Sequence, residues 1–134
     1  MIVCRTILEV SRLINKSNRL RQTLGLVPTM GSLHPGHLSL ISKALQHNDI
    51  VWVTIFVNPT QFNNKEDFNS YPKNLEHDLH LIKKISNKIN VFQPSETEIY
   101  NGNPFLKKYD FNGLDLELEG RFRLDHYNGV ATIV

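Results

Sequence analysis

The strongest strand pattern in this sequence is Ile50-Val51-Trp52-Val53-Thr54-Ile55-Phe56-Val57, which is followed at once by Asn58-Pro59. The stretch is rich in β-branched and aromatic residues, the types that are enriched in strands. Its apolar residues do not alternate with polar ones, so we expect both faces of the strand to be covered. Strands of this kind are typical of the centre of a parallel sheet with helices on each side. The stretch therefore predicts an α/β domain.

The segments around this strand alternate between helix and strand patterns. Three shorter apolar runs predict further strands, at Met1–Val3, Leu24–Val27 and Ile89–Phe92. The second of these is expected to end before Pro28. Apolar residues at helical spacing predict helices between the strands, at Thr6–Gln22, His37–Gln46 and Leu75–Ser86. The order strand, helix, strand, helix, strand, helix, strand predicts a Rossmann-like parallel sheet with helices on both faces.

The last residues, Gly129–Val134, have the pattern of one more buried strand. The sequence then stops without a helix to cover that strand, although a doubly wound sheet has helices on both faces. We therefore expect residues 1–134 to be one domain, truncated after its last strand, that forms the N-terminal part of a longer protein.

The composition argues against several classes of protein. The 134 residues include 15 Lys and Arg and 13 Asp and Glu, and the resulting net charge of +2 does not indicate a nucleic-acid binder. The longest apolar run, Ile50–Val57, is too short to span a bilayer, and the N-terminus lacks the pattern of a signal peptide. The single cysteine, Cys4, has no partner for a disulfide or a zinc knuckle. We expect a cytoplasmic protein that binds neither nucleic acid nor membranes.

The segment most informative about function is Val27-Pro28-Thr29-Met30-Gly31-Ser32-Leu33-His34-Pro35-Gly36-His37. It joins a predicted strand to a predicted helix, so it lies at the carboxyl edge of the sheet, where α/β folds bind ligands. Gly31 and Gly36 have no Cβ, which lets the backbone approach a ligand closely. A helix that begins near Gly36 presents free N–H groups and a partial positive charge, and both favour a phosphate group.

Two histidines, His34 and His37, flank the last turn of this segment. Histidines at this spacing are often surface residues and occasionally metal ligands, but no cysteine or carboxylate lies nearby at ligand spacing. We therefore predict no metal site. In this context phosphate binding is the favoured interpretation, because each ring can donate a hydrogen bond that strengthens as charge builds up in a transition state.

These residues resemble a known family. Pro28–His37 is similar to the nucleotide-binding signature of the pantothenate synthetase (pantoate–β-alanine ligase) family, which belongs to the nucleotidyltransferase superfamily with a His-x-Gly-His motif. Four later stretches match other signatures of the family in the right order: Ile55–Phe62, Glu66–Asp78, Phe92–Tyr100 and Leu118–Thr132. The family usually has Arg-Pro-Gly-His where this chain has Arg123-Leu124-Asp125-His126.

The resemblance implies an ATP-dependent condensation of pantoate with β-alanine to pantothenate. The reaction proceeds through pantoyl adenylate, releases pyrophosphate and AMP, and uses Mg²⁺; the family also implies a homodimer. The residues that the family implies for the ATP site are Met30, Gly31, Ser32, Leu33, His34, Pro35, Gly36 and His37. Of these, His37 and His34 are the implied catalytic residues.

For pantoate and β-alanine, the resemblance implies Gln61, Asn58 and Arg123 as binding residues. The position of Asn58 and Gln61 agrees with this, since both follow the central strand at its carboxyl end and amides bind hydroxyl and carboxylate oxygens. Without the resemblance, Asn58-Pro59 is typical of a simple turn. An arginine such as Arg123 can clamp a carboxylate or a phosphate through two hydrogen bonds, although many loop arginines are merely solvated.

Two other hypotheses compete with a ligase of this family, seen whole or as its N-terminal part. Family members continue past this point with a lysine-bearing loop, a Ser/Arg-containing loop and a C-terminal lid domain, none of which is present in the sequence. In the second hypothesis the chain is therefore a non-catalytic fragment that binds a nucleotide or pantoate. The third hypothesis is another nucleotidyltransferase of the superfamily, such as one acting on phosphopantetheine, and Asn58-Pro59-Thr60-Gln61-Phe62 argues against it.

Overall fold

The computed structural model describes residues 1–123 and 125–134. Within them, four strands form one parallel sheet in the order β1-β4-β3-β2. The strands are β1 (Val3–Cys4), β2 (Leu24–Thr29), β3 (Ile50–Ile55) and β4 (Ile89–Phe92). The strand predicted from Ile50 onward therefore lies inside the sheet, between β4 and β2. The predicted parallel α/β fold is confirmed.

Six α-helices connect and cover these strands in the described part of the chain. They are α1 (Ile7–Arg19), α2 (Pro35–His47), α3 (Lys65–Ser70), α4 (Leu75–Ile85), α5 (Glu96–Tyr100) and α6 (His126–Ile133). The three helices predicted from spacing correspond to α1, α2 and α4. Short 3₁₀ turns lie at Pro59–Gln61, Leu114–Leu116 and Leu118–Arg121. No helix in the described residues is long and apolar enough to cross a membrane.

The core lies between one face of the sheet and helices α2 and α4. Ile41 of α2 and Ile82 of α4 are completely buried. They belong to one cluster with apolar side chains from β2, β3 and β4, which include Val27, Val51, Val53, Ile89 and Val91. This core fixes the positions of the strand ends and of the start of α2, and these elements carry the candidate site.

The strand β2 continues through Pro28 to Thr29, so the expectation that it ends before Pro28 is wrong. Backbone carbonyls of Thr23 and Thr29 accept hydrogen bonds from the β3 side. The backbone N–H and C=O groups of successive strand residues face opposite edges of the strand. Since Thr29 faces β3, the backbone nitrogen of Pro28 faces away from β3. In the described residues β2 is an edge strand, where the missing N–H of proline breaks no ladder bond.

The predicted final strand at Gly129–Val134 is also wrong, because these residues lie in and just after α6. Asn128 and Gly129 are the buried residues of this helix. Gly129 packs against the turn at Pro59–Gln61. This contact outweighs the strand preference of the β-branched residues that follow, since β propensity depends strongly on context.

Candidate active site

The candidate site lies at the carboxyl edge of the sheet, where the segments after β2, β3 and β4 meet. A cavity of about 310 Å³ opens there. His37 of α2 and Gln61 of the turn after β3 both line it. Its other walls are mostly apolar and include Pro28, Met30, Phe56, Phe92, Val130 and Ile133. The structure thus brings together the two motifs that the sequence placed on one rim.

A buried carboxylate shapes the loop between β2 and α2. Asp78 of α4 is 1% exposed, and its two oxygens accept hydrogen bonds from the backbone N–H groups of Ser32 (2.9 Å) and Leu33 (2.8 Å). The loop has positive φ angles at Gly31 (82°) and Ser32 (53°). A Cβ on Gly31 would lie 3.0 Å from Asp78 Oδ2, so the carboxylate packs directly under a glycine. Asp78 therefore holds the loop in the shape that starts α2.

The two histidine rings are oriented by the backbone at the start of α2. His34 is the N-cap, and its Nδ1 accepts a hydrogen bond from the N–H of Gly36 at 3.1 Å. His37 Nδ1 accepts from the N–H of His34 at 3.4 Å. Because a backbone N–H can only donate, both neutral rings carry their proton on Nε2. Each ring is therefore set to donate Nε2–H away from the backbone, as phosphate binding requires.

The surroundings of His37 favour its neutral form. Burial lowers the pKa of His37 below the ordinary value of a histidine, and the neighbouring His34 ring, whose centroid lies 4.1 Å away, lowers it further. The carboxylate of Asp78 opposes these effects and raises the pKa of His37. At neutral pH the ring is then a hydrogen-bond donor without a full charge.

The titration of His37 tests this environment. We expect the ring to titrate below about pH 6.5, and the midpoint to rise in His34→Gln without reaching that value, because burial remains. In Asp78→Asn the midpoint should fall. The folded state binds this proton more weakly than the unfolded chain, so acidification through this range favours unfolding. A pH titration of the His37 ring signals by NMR measures the midpoint in the wild-type chain and in both variants, and a wild-type midpoint above about 6.5 would contradict the prediction.

The other residues predicted for the ATP site have different surroundings. Leu33 is buried in the core cluster, so its contribution to a ligand is through the backbone. Ser32 and Pro35 are exposed, and Met30 lines the cavity. A Cβ on Gly36 would lie 2.8 Å from His34 Cε1, which explains why the smallest residue stands beside this ring. Their roles toward ATP stay predictions.

The turn after β3 holds Asn58 and Gln61 in different ways. Asn58 is 1% exposed, and both ends of its side chain are hydrogen-bonded within the chain. It does not line the cavity, whereas Gln61 does. The contact of Asn58 with a substrate stays a prediction; among the residues that the structure describes, its Nδ2 donates to Gln61 and Gly129 and its Oδ1 accepts from Thr60 and Tyr100.

Gly129 allows α6 to lie against this turn. A Cβ at this position would lie 2.6 Å from the carbonyl oxygen of Thr60 and 2.7 Å from Cα of Gln61. We expect Gly129→Ala to lower the free energy of unfolding by about 1–3 kcal/mol through overpacking, and to displace Gln61. Helix propensity alone predicts the opposite sign, since alanine is favoured over glycine by about 1 kcal/mol. Urea unfolding decides between the two, with Ala131→Gly in the same helix as the propensity control.

Arg123 lies beside acidic side chains rather than in the cavity. Its guanidinium is 3.3 Å from Asp67 and 3.6 Å from Glu119. Its predicted role in substrate binding stays a prediction. In the loop that follows, Leu124 lies outside the described residues. Asp125 has a φ of 63°, a left-handed conformation that suits the glycine usual for the resembled family at this position.

Two residues that support the site were given no role from the sequence, Asp78 and Tyr100. Asp78 lies on the apolar face of the predicted α4 helix, three residues after Leu75 and four before Ile82. A carboxylate on such a face must be paired when buried, so the sequence pattern predicts a hydrogen-bonded partner for Asp78. The hydroxyl of Tyr100 donates to Asn58 Oδ1 at 2.7 Å, and this contact across 42 positions has no local signal.

Comparisons of the sequence and of the structure with known proteins lead to the same family. The family model described as Pantoate-beta-alanine ligase matches residues 2–134. A pantothenate synthetase from Flavobacterium psychrophilum is 51% identical over 114 residues, which are 85% of this chain and 40% of that protein. One from Phocaeicola vulgatus is 45% identical over 134 residues, which are 100% of this chain and 47% of that protein.

A solved structure is also similar. It is a crystal structure of a pantoate-beta-alanine ligase from Francisella tularensis complexed with beta-gamma ATP and beta-alanine. The similarity has a TM-score of 0.84 at 38% identity, and it covers 99% of this chain and 50% of that chain. The chain thus spans about half the length of the proteins it matches.

Proposed function

Because the chain belongs to the pantoate–β-alanine ligase family, we propose that it carries the ATP- and pantoate-binding half of an enzyme that joins pantoate to β-alanine. One observation carries this proposal: His37 and Gln61 line the same cavity of about 310 Å³, whose remaining walls are largely apolar. Pantoate is a small hydroxy acid with two methyl groups, so it matches a cavity with polar groups at one side and apolar walls. This observation supports substrate binding next to the loop between β2 and α2, which carries the two histidines.

The reaction has two steps. In the first, a carboxylate oxygen of pantoate attacks the α-phosphorus of ATP, forming a C–O–P linkage as the bond to the β-phosphate oxygen breaks and pyrophosphate leaves. In the second, the amine of β-alanine attacks the activated carbonyl, loses a proton, and AMP leaves as pantothenate forms. Adenylation is needed because a free carboxylate has no good leaving group.

The chain's own residues act mainly in the first step. His34 and His37 donate Nε2–H to phosphate oxygens, and these hydrogen bonds strengthen as negative charge develops in the transition state. Gln61 binds an oxygen of pantoate across the same cavity. Apolar walls around His37 and Gln61 exclude water once the substrates are bound, which strengthens the hydrogen bonds of these two residues.

Mg²⁺ enters this proposal as part of the nucleotide substrate. No group of three or more His, Cys, Asp or Glu side chains in residues 1–123 and 125–134 is arranged to hold a metal ion. The ion would therefore be carried by the triphosphate, where it neutralises charge. A cytoplasmic location and a homodimer, both implied by the family, complete the proposal.

Pyrophosphate release by the purified 134-residue chain tests the proposal. We expect release to require ATP, Mg²⁺ and pantoate together, and pantothenate to form only after β-alanine is added. Replacing pantoate by phosphopantetheine is the control for another nucleotidyltransferase activity. A folded chain that binds ATP and pantoate without releasing pyrophosphate would instead support the non-catalytic binding fragment.

A further inference from the structure

The orientation of the Asn58 side-chain amide is fixed without ambiguity. The backbone N–H of Thr60 donates to Asn58 Oδ1 at 3.4 Å, and the carbonyl of Gly129 accepts from Asn58 Nδ2 at 3.1 Å. An N–H can only donate and a carbonyl can only accept. The oxygen of Asn58 therefore faces Thr60, and its nitrogen faces Gly129.

This orientation determines which end of Gln61 is available to a ligand. The second proton of Asn58 Nδ2 is donated to Gln61 Oε1 at 3.2 Å, so the oxygen of Gln61 points toward Asn58. Within the described residues Gln61 Nε2 donates no hydrogen bond, and Gln61 lines the cavity. The backbone carbonyl of Gln61 accepts from His126 Nδ1 at 3.1 Å, which holds the residue in place from the side of α6.

Tyr100 holds Asn58 in position. Its hydroxyl donates to Asn58 Oδ1 at 2.7 Å, the shortest hydrogen bond that this side chain makes, and Tyr100 is 6% exposed. The ring packs against Phe56 and Phe105 with centroid distances of 6.2 Å and 5.8 Å. The aromatic packing therefore fixes the hydroxyl, and the hydroxyl fixes the amide.

We propose that Tyr100 and Asn58 are positioning residues that turn the NH₂ group of Gln61 toward the cavity, so that a ligand meets Gln61 through an oxygen acceptor. A carboxylate or hydroxyl oxygen satisfies this donor, whereas an ammonium group at the same point meets another donor and is rejected. Once a ligand fills the cavity and displaces its water, a polar group left unpaired is the strongest source of such discrimination. The choice of pantoate as the ligand rests on the proposed function; the orientation of the amide does not.

Side-chain amide exchange with solvent, measured by NMR without any ligand, tests the orientation. In the wild-type chain we expect the Asn58 NH₂ protons to be protected and the Gln61 NH₂ protons to exchange rapidly with cavity water. Asn58→Asp presents an oxygen to Gln61, so the Gln61 amide should rotate and its NH₂ protons should become protected. Protected Gln61 protons in the wild-type chain would overturn the proposal.

Tyr100→Phe removes only the hydroxyl and keeps the packed ring, so it stands in if Asn58→Asp fails to fold. We expect faster exchange of the Asn58 NH₂ protons and a fivefold to tenfold loss of affinity for pantoate in calorimetric titration, the loss of about one hydrogen bond. Affinity for ATP should change less than twofold. The matched control is Tyr109→Phe, a tyrosine outside the cavity, which should leave both affinities unchanged.

Gln61→Glu keeps an oxygen for Asn58 to donate to but presents a second oxygen to the cavity, so pantoate binding should be lost. Unchanged pantoate affinity in Tyr100→Phe, or an equal loss of ATP affinity, would contradict a positioning role. If the wild-type chain binds no pantoate, the proposed function fails, and the amide exchange pattern still decides whether Tyr100 and Asn58 orient Gln61.

Discussion

Replacing Asp78 by alanine is expected to lower the free energy of unfolding by about 2–4 kcal/mol, because two backbone N–H groups lose a charged acceptor. The carboxylate is 1% exposed and accepts from both Ser32 and Leu33, so its removal takes the side-chain acceptor from both N–H groups at once. Stabilities of domains amount to about 5–15 kcal/mol in total. The change therefore removes a large share of the stability of this chain.

Urea unfolding followed by circular dichroism measures this effect. Asp78→Asn keeps one oxygen acceptor but turns an NH₂ group toward the second backbone N–H, so it is expected to lose a substantial part of the same free energy. Glu76→Ala is the matched control, because it removes an exposed carboxylate from the first turn of the same helix. It should cost at most about 0.5 kcal/mol through the helix dipole. An Asp78→Ala variant as stable as Glu76→Ala would show that the loop does not depend on this carboxylate.

The fold was predictable where the signal is local. The buried run from Ile50 predicts β3 because continuous β-branched and aromatic residues over eight positions favour a strand that is covered on both faces. Apolar residues at helical spacing predict α1, α2 and α4. The alternation of strands and helices along the chain predicts the parallel sheet. Because the carboxyl ends of parallel strands meet at one edge of the sheet, the loop between β2 and α2 and the turn at Asn58–Gln61 lie on the same edge.

The rest depends on contacts between distant residues. The pattern of Gly129–Val134 favours a strand, and only the close approach of Gly129 to the turn at Thr60 and Gln61 explains the helix. In the same way, Asn58 is a simple turn residue in the sequence, but Tyr100 and Gly129 make it the centre of a buried hydrogen-bond network. Such partners lie 42 and 71 positions away, beyond any local pattern.

His37→Ala is expected to lower the rate of pantoate-dependent pyrophosphate release by on the order of a hundredfold or more, as for other donors to a transition state. The variant loses the Nε2–H donor that the backbone of His34 orients into the cavity. Because the hydrogen bond strengthens as the α-phosphorus is attacked, the loss should fall on kcat rather than on the KM for ATP.

One conservative variant and one control variant accompany this measurement. His37→Gln retains an N–H donor near the same point and should recover part of the rate. His47→Ala removes the histidine at the opposite end of α2 and should leave the rate within twofold, since that residue lies far along the helix from the cavity. A His37→Ala variant with the wild-type rate would remove His37 from the chemistry. A loss confined to KM would mean that the ring binds the ground state of ATP and the transition state equally well.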